Sequence, residues 1–283
     1  RSRRRLVGGW APYLRAHAAG GPAAGAVVWA CHPSFPCGGH GDRVKGIVAV
    51  FILALLTGRH FYVDAPDPWD LRLFLEPHHL DWRVQGLHGV ASGRHVLWDH
   101  DFFEKAYLDH LLADDAPVWV LYTNKQSLIG PMLRHPRLAG RAEALGLFST
   151  PFLVRRIWDA LFRPTAAMER HVGRVLARLG GPDARFIAMH HRAGDWNSGF
   201  GVVNGEVDRR GGADEVLALL SCAHAVERWL GLPNTTRWYL ASDSSAVVDA
   251  PQVQAWRDAG KLAARGPEPR THLAAAGVVP PAG

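Results

Sequence analysis

Eleven consecutive residues, 46 to 56 (GIVAVFILALL), carry no polar side chain. That is about half of the ~20 apolar residues a membrane-spanning helix requires. A helix that is apolar on every side must be enclosed by protein, so the run predicts an internal helix over residues 42–57. It is preceded by the Gly-rich turn Gly38-Gly39-His40-Gly41, and short apolar runs of strand type flank it, AVVWA at 26–30 and FYVD at 61–64. Strand, turn, buried helix and second strand make a βαβ unit, which commits the chain to a parallel sheet covered by helices.

At 283 residues the chain has room for two domains, and 48% hydrophobic residues supply a core. The formal charge is +6, but Arg1, Arg3, Arg4 and Arg5 account for four of those units. The body is nearly neutral and its basic residues do not cluster, which argues against nucleic acid as a partner. The 16 histidines and three cysteines show no metal-ligand spacing. Cys31 and Cys37 bracket the loop CHPSFPC, which either closes as a local disulfide or carries two free thiols, while Cys222 lies in an apolar helical pattern and reads as core.

A second alternating block follows. Residues 118–122 (VWVLY) form the next strand candidate, and after Pro164 a helix sets Met168, Val172, Val175, Leu176 and Leu179 on one face before Gly180-Gly181 ends it. Residues 186–189 (FIAM) then read as a buried strand leading into His190-His191-Arg192-Ala193-Gly194-Asp195. A helix from Ala213 to about Leu230 carries Val216, Leu219, Leu220, Ala223, Val226 and Leu230 inward, and residues 238–241 (WYLA) deliver Ser242-Asp243-Ser244. In an open parallel sheet the ligand site lies beyond the carboxyl ends of the strands, so both polar segments are expected at one edge.

Those segments have the chemistry of a nucleotide-sugar site. Arg192 can lay its planar fork on phosphate oxygens and stabilise a departing diphosphate. His190 suits a ribose or phosphate oxygen, Asp195 suits orienting Arg192, and Ser242, Asp243 and Ser244 offer small donors and acceptors. The bland alternative has Arg192 and Asp195 closing a turn and Asp243 capping the next helix. In the first block, Asp42 is the candidate base for an acceptor hydroxyl, set against a role at the helix amino end; Arg43 either assists the diphosphate or faces solvent. Gly39-x-Gly41 with Asp64 further on imitates a dinucleotide fingerprint, but that pattern wants glycine where Val44 stands, and Gly46 is the nearest.

The stretch CGGHGDRVKGIVAVFILALLTGRHFYVD (37–64) resembles the amino-terminal signature of the fucosyltransferase superfamily that includes plant xyloglucan, rhizobial chitooligosaccharide, core α1,6 and protein O-fucosyltransferases. FIAMHHRAGD (186–195) is similar to its H-x-R-x-G-D motif, YLASDS (239–244) to its nucleotide loop, and LFRPT (161–165) to the segment that introduces its second lobe. The resemblance implies an α/β fold of the GT-B type, two facing Rossmann-like lobes with mostly parallel sheets: a basic, Gly/Ala-rich arm over 1–25, an acceptor lobe over 26–150, and linker helices with the donor lobe over 151–283. It implies inverting fucosyl transfer from GDP-fucose to a glycan or protein hydroxyl without a metal or other cofactor, in a secretory-pathway lumen such as the Golgi.

Carried over by position, His190 and Arg192 match the donor-binding His and Arg, with Arg192 on the β-phosphate, and Gly39, Gly41 and Asp42 match the loop that approaches the donor. Ala193 stands where the motif often has Thr. After Ser244 the pattern fades, and the Pro-rich residues 277–283 replace the last strands of the donor lobe, an incomplete second lobe on this reading. A GDP- or carbohydrate-binding remnant without turnover is therefore the alternative, and a dinucleotide-binding oxidoreductase a lesser one. Among the 11 tryptophans, Trp69 and Trp196 are the best placed to stack on a sugar.

Overall fold

The computed structural model describes residues 9–20, 25–31, 40–64, 70–84, 92–96, 105–191, 202–203, 206–207, 213–242 and 245–264. The chain is an α/β protein with mostly parallel sheets, in two compact units, residues 1–165 and 166–278. The first unit contains α1 (Ala11–Ala18), β1 (Ala26–Ala30), α2 (His40–Thr57), β2 (His60–Asp64), β3 (Leu75–Pro77), β4 (Ser92–Val96), α3 (Lys105–Ala113), β5 (Val118–Tyr122), α4 (Ile129–Arg134), α5 (Ala139–Ala144), α6 (Leu153–Leu161) and β6 (Phe162–Pro164). The second contains α7 (Ala166–Arg178), β7 (Phe186–His191), β8 (Val202–Val203), β9 (Glu206–Val207), α8 (Ala213–Trp229), β10 (Arg237–Ser242), α9 (Ser245–Val248), α10 (Pro251–Asp258) and β11 (Leu262–Ala264).

In the first unit the strands lie in the order β2-β1-β5-β4, all parallel. The central strand β1 is buried along its whole length, and α2 is buried at every position from Gly46 to Leu56. α2 packs this closely because Gly46 lets its backbone approach that of Thr123, just past β5: a Cβ there would stand 2.0 Å from the Thr123 carbonyl oxygen and 2.5 Å from Trp29 Nε1. Trp29 Nε1 itself donates to that carbonyl at 2.6 Å. The terminal arm contributes α1, whose Trp10, Leu14 and His17 are buried, with Tyr13 donating to the Arg59 carbonyl at 2.9 Å. α6 and β6 complete this unit: Trp82 Nε1 donates to the Leu161 carbonyl at 2.9 Å, and β6 pairs antiparallel with β3.

The amino edge of this sheet is tied by one side chain. Arg59 is 7% exposed, lies 3.6 Å over the Trp119 ring, and donates Nη1 to the carbonyls of Ala116 (3.0 Å) and Pro117 (3.3 Å). Gly25, at φ +118°, admits this arrangement, since a Cβ would fall 2.5 Å from Arg59 Nη1. Arg59→Ala removes charge-assisted bonds and a cation–π contact together, for an expected loss of about 2–3 kcal/mol. Arg59→Lys, which keeps the charge but not the fork, is expected to recover part of it. Urea unfolding measures both, and an unchanged midpoint in Arg59→Ala would contradict the assignment.

Burial also sets a pH dependence. His17 is held below the ordinary histidine value by desolvation, offset in part by its hydrogen bond to the Phe61 carbonyl (Nε2 to O, 3.0 Å). The unfolded chain therefore binds the proton more readily than the folded one. This contribution is complete above about pH 6.5 and is lost as the pH falls through that value toward the lower folded pKa. The urea midpoint is expected to drop between pH 7 and 5, and His17→Gln, which keeps an N–H for the Phe61 carbonyl, is expected to flatten the drop. A slope unaltered by that substitution would assign the effect elsewhere.

In the second unit the order β11-β10-β7 is again parallel, with Ala241 opposite His190 and Ser242 opposite His191. One face of this sheet packs Met189, Trp238, Leu240 and Leu262 against Val216, Leu220 and Ala223 of α8, Val247 and Val248 of α9, and Val253 of α10. The opposite face is open among the described residues: Phe186, Ala188, His190 and Arg237 are exposed.

Three expectations are corrected here. α7 forms where its periodicity placed it, but none of its residues is buried and Val172 is 43% exposed; Leu179, beyond its end, is the buried member of the stripe. Cys222 is exposed rather than core, because the buried line of α8 runs through Val216, Leu220, Ala223 and Glu227 and leaves position 222 about 130° away. Leu230, expected on the inner side, is 53% exposed just past the helix end. The Cys31–Cys37 pairing falls partly on residues outside those described.

Candidate functional site

The carboxyl edge of the first sheet is built by the ends of β1 and β5 and the start of α2. There an open pocket of about 720 Å³ is walled by Asp42 and Lys45 from α2, Asn124 and Lys125 beyond β5, and Leu153 and Val154 from α6. Asp42 lies in the first turn of α2, where a carboxylate meets the positive end of the helix dipole. Its Oδ1 receives the Lys45 ammonium at 3.0 Å, and both side chains are about half exposed (43% and 49%). Asn124 Oδ1 is buried and accepts no hydrogen bond from any described residue, an acceptor standing ready in the pocket wall.

Arg43 does not face solvent. It is 1% exposed, and desolvation lowers its pKa from the ordinary arginine value. His40 beside it is likewise lowered, first by desolvation and then by the Arg43 charge, and its ring meets Phe74 edge-on at 5.7 Å. Gly41 has no heavy atom of the described residues within 4 Å of the position a Cβ would take, so their packing does not require glycine there. Gly39 lies outside the described residues.

In the second unit the parallel register brings the two polar segments to one carboxyl edge. His191 and Ser242, opposite each other, are 3% and 6% exposed and bonded Nδ1 to Oγ at 3.2 Å. His190 is exposed on the other face. Arg192, Asp195, Asp243 and Ser244 lie outside the described residues, as do Trp69 and Trp196. Ser242 is thus engaged by a residue the motif leaves as x, and alternation along β7 was the signal: with Met189 inward, His191 follows it and His190 points away. Asn124, Lys45 and Lys125 were also missed. For Asn124 and Lys125 the signal was their place directly after the strand at 118–122, beyond its carboxyl end.

The chain is an α/β protein of GT-B-like fold, with polar side chains gathered at the carboxyl edges of its parallel sheets. Among solved structures, a mutant of Arabidopsis thaliana FUT1 in complex with GDP is similar over 92% of this chain and 68% of its own, with a TM-score of 0.58 and 16% sequence identity. At that identity the likeness is one of fold. No protein-family model and no curated protein sequence matches the chain.

Proposed function

We propose that this protein is a glycosyltransferase that moves fucose, with inversion, from GDP-fucose to a hydroxyl of a glycan or glycoprotein. The observation that carries this reading is the β7–β10 pairing, which sets His191 against Ser242 at the carboxyl edge, one residue before Arg192, in a fold shared with a GDP complex. The donor's diphosphate lies at that edge and Arg192 spans its oxygens bidentately. As the bond from the anomeric carbon to the β-phosphate oxygen breaks, its electron pair goes to the phosphate and the Arg192 fork receives the growing charge. The acceptor oxygen bonds to the opposite face of the carbon and yields its proton to a carboxylate, for which Asp42 is the candidate.

Acceptor binding falls to the first unit. Its pocket of about 720 Å³ has the size of ordinary ligand sites, and the open valence of Asn124 Oδ1 suits a hydroxyl donor. Gly41, where no described residue packs, suits close approach by a substrate. Lys45 orients the Asp42 carboxylate through their 3.0 Å contact until the acceptor takes its place. The protein acts in this reading without a metal, in a secretory-pathway lumen, where Cys31 and Cys37 pair.

Thermal-shift titration with GDP, GDP-fucose, GDP-mannose and NAD, with and without EDTA, tests the reading. GDP and GDP-fucose are expected to stabilise, by about 2.7 kcal/mol at a hundredfold excess over Kd, with EDTA without effect. Preference for NAD would overturn it. GDP binding without release of GDP from GDP-fucose, over a panel of glycan and glycoprotein acceptors, would support the binding remnant instead.

A further inference from the structure

The far end of the second sheet holds a site the transfer reaction does not use. Where β10 and β11 begin and α8 ends, a cavity of about 290 Å³ is lined by Trp238, Trp256, His224, Glu227, Asn234 and Lys261. Its polar groups are fixed in advance. Glu227, 5% exposed, accepts from Lys261 Nζ at 2.5 Å, and Lys261 also donates to the Asn234 carbonyl at 2.6 Å while lying 5.0 Å over the Trp238 ring. Trp238 is 0% exposed and Trp256 leans on it, ring centres 4.9 Å apart and planes 34° from parallel.

Two of these features need a reason. A buried carboxylate–ammonium pair stabilises a fold no better than apolar side chains of the same volume, so its place in a cavity wall is unexplained by stability alone. Trp238 Nε1 is buried and has no acceptor among the described residues, whereas a buried indole N–H normally finds one. A ligand supplying an oxygen to that N–H, a C–H surface to the half-buried Trp256 and hydroxyls to Glu227, His224 and Asn234 meets every demand. The volume is at the lower limit for small-molecule sites, which suits one six-membered ring and is small for a nucleoside. Glu227 and Lys261 neutralise each other, and Arg228, the remaining charge of the lining, is exposed to solvent at the end of α8, which leaves the interior suited to an uncharged ligand.

We propose that this cavity is a non-catalytic saccharide site that holds one neutral pyranose unit, remote from the carboxyl edge. It would tether a glycan that carries, or stands near, the acceptor hydroxyl, yet its existence does not depend on the transferase reading. Saturation-transfer NMR on the full chain saturated with GDP, using the methyl glycosides of fucose, galactose, glucose, mannose and xylose with glucose 6-phosphate as a charged comparator, tests it. At least one neutral glycoside is expected to show transfer. Trp256→Ala should weaken it about tenfold, and Asn234→Ala and His224→Ala, at exposed positions that do not endanger folding, about threefold to tenfold. Stabilisation by GDP should stay unchanged in all three. Absence of transfer from every glycoside, equal transfer in the two exposed variants, or preference for the phosphorylated sugar would overturn the proposal, leaving a cavity that holds water.

Discussion

Gly46→Ala is expected to disrupt the first unit. The added methyl would sit 2.0 Å from the Thr123 oxygen and 2.5 Å from Trp29 Nε1, and these atoms are bonded to each other at 2.6 Å, so neither can withdraw without breaking a buried hydrogen bond. Overpacking costs about 1–3 kcal/mol and loss of the indole's partner about 1–3 more, together a large part of ordinary domain stability. Urea unfolding followed by near-ultraviolet circular dichroism reports it. Gly41→Ala is the control in the same helix, expected to gain up to about 1 kcal/mol from helix propensity while weakening substrate binding. Equal midpoints in the two variants would show that α2 does not rest on its sheet through Gly46.

Arg192→Ala carries the largest functional effect. In the proposed reaction the guanidinium meets charge that accumulates only as the diphosphate departs, so its removal lowers kcat more than it raises KM. Losses of 10³-fold or more are typical when an arginine that stabilises a phosphoryl transition state is removed, and stabilisation by GDP should fall with them. Arg192→Lys, a point charge without the fork, should restore little. Ser242→Ala provides the contrast: it removes the partner of His191 at 3.2 Å and is expected to lower stability more than turnover. GDP stabilisation undiminished in Arg192→Ala would remove the basis of the donor assignment.

The strands and helices around both candidate edges were legible because each is short, strongly patterned and bounded by turn residues. β1, α2, β2, β5, α7, α8 and β10 lie within a few residues of where periodicity and punctuation placed them. Contacts between distant segments were not legible. Gly46 serves the close helix–strand packing that a dinucleotide fingerprint assigns to its third glycine, two positions from where that pattern looks, but its partners Trp29 and Thr123 are 94 residues apart. The stripe of α7, half-buried at best, shows that amphipathicity states which face seeks cover without stating what covers it. Cys222 and Leu230 failed for a related reason: apolar spacing gave α8 a broad face, and its neighbours in the sheet selected a narrower one.

At the site, the motif drew attention to His190, whereas burial singles out His191. Adjacent residues on a strand face opposite ways, so parity is fixed only when one face is known to be covered, and here Met189 of the same strand is. Asn124 escaped because an asparagine after a strand is common, and only an oxygen buried without a donor makes it notable.

One strand, β10, ends in both recognition regions. Trp238 at its start walls the saccharide cavity and Ser242 at its close meets His191, about 13 Å away at the rise of an extended chain. Bonded to β7 on one flank and β11 on the other, it cannot slip by a residue without turning every side chain over. The spacing between the proposed glycan and nucleotide sites is therefore built into the backbone as a fixed gauge, and insertions or deletions along this segment would miscalibrate both ends together.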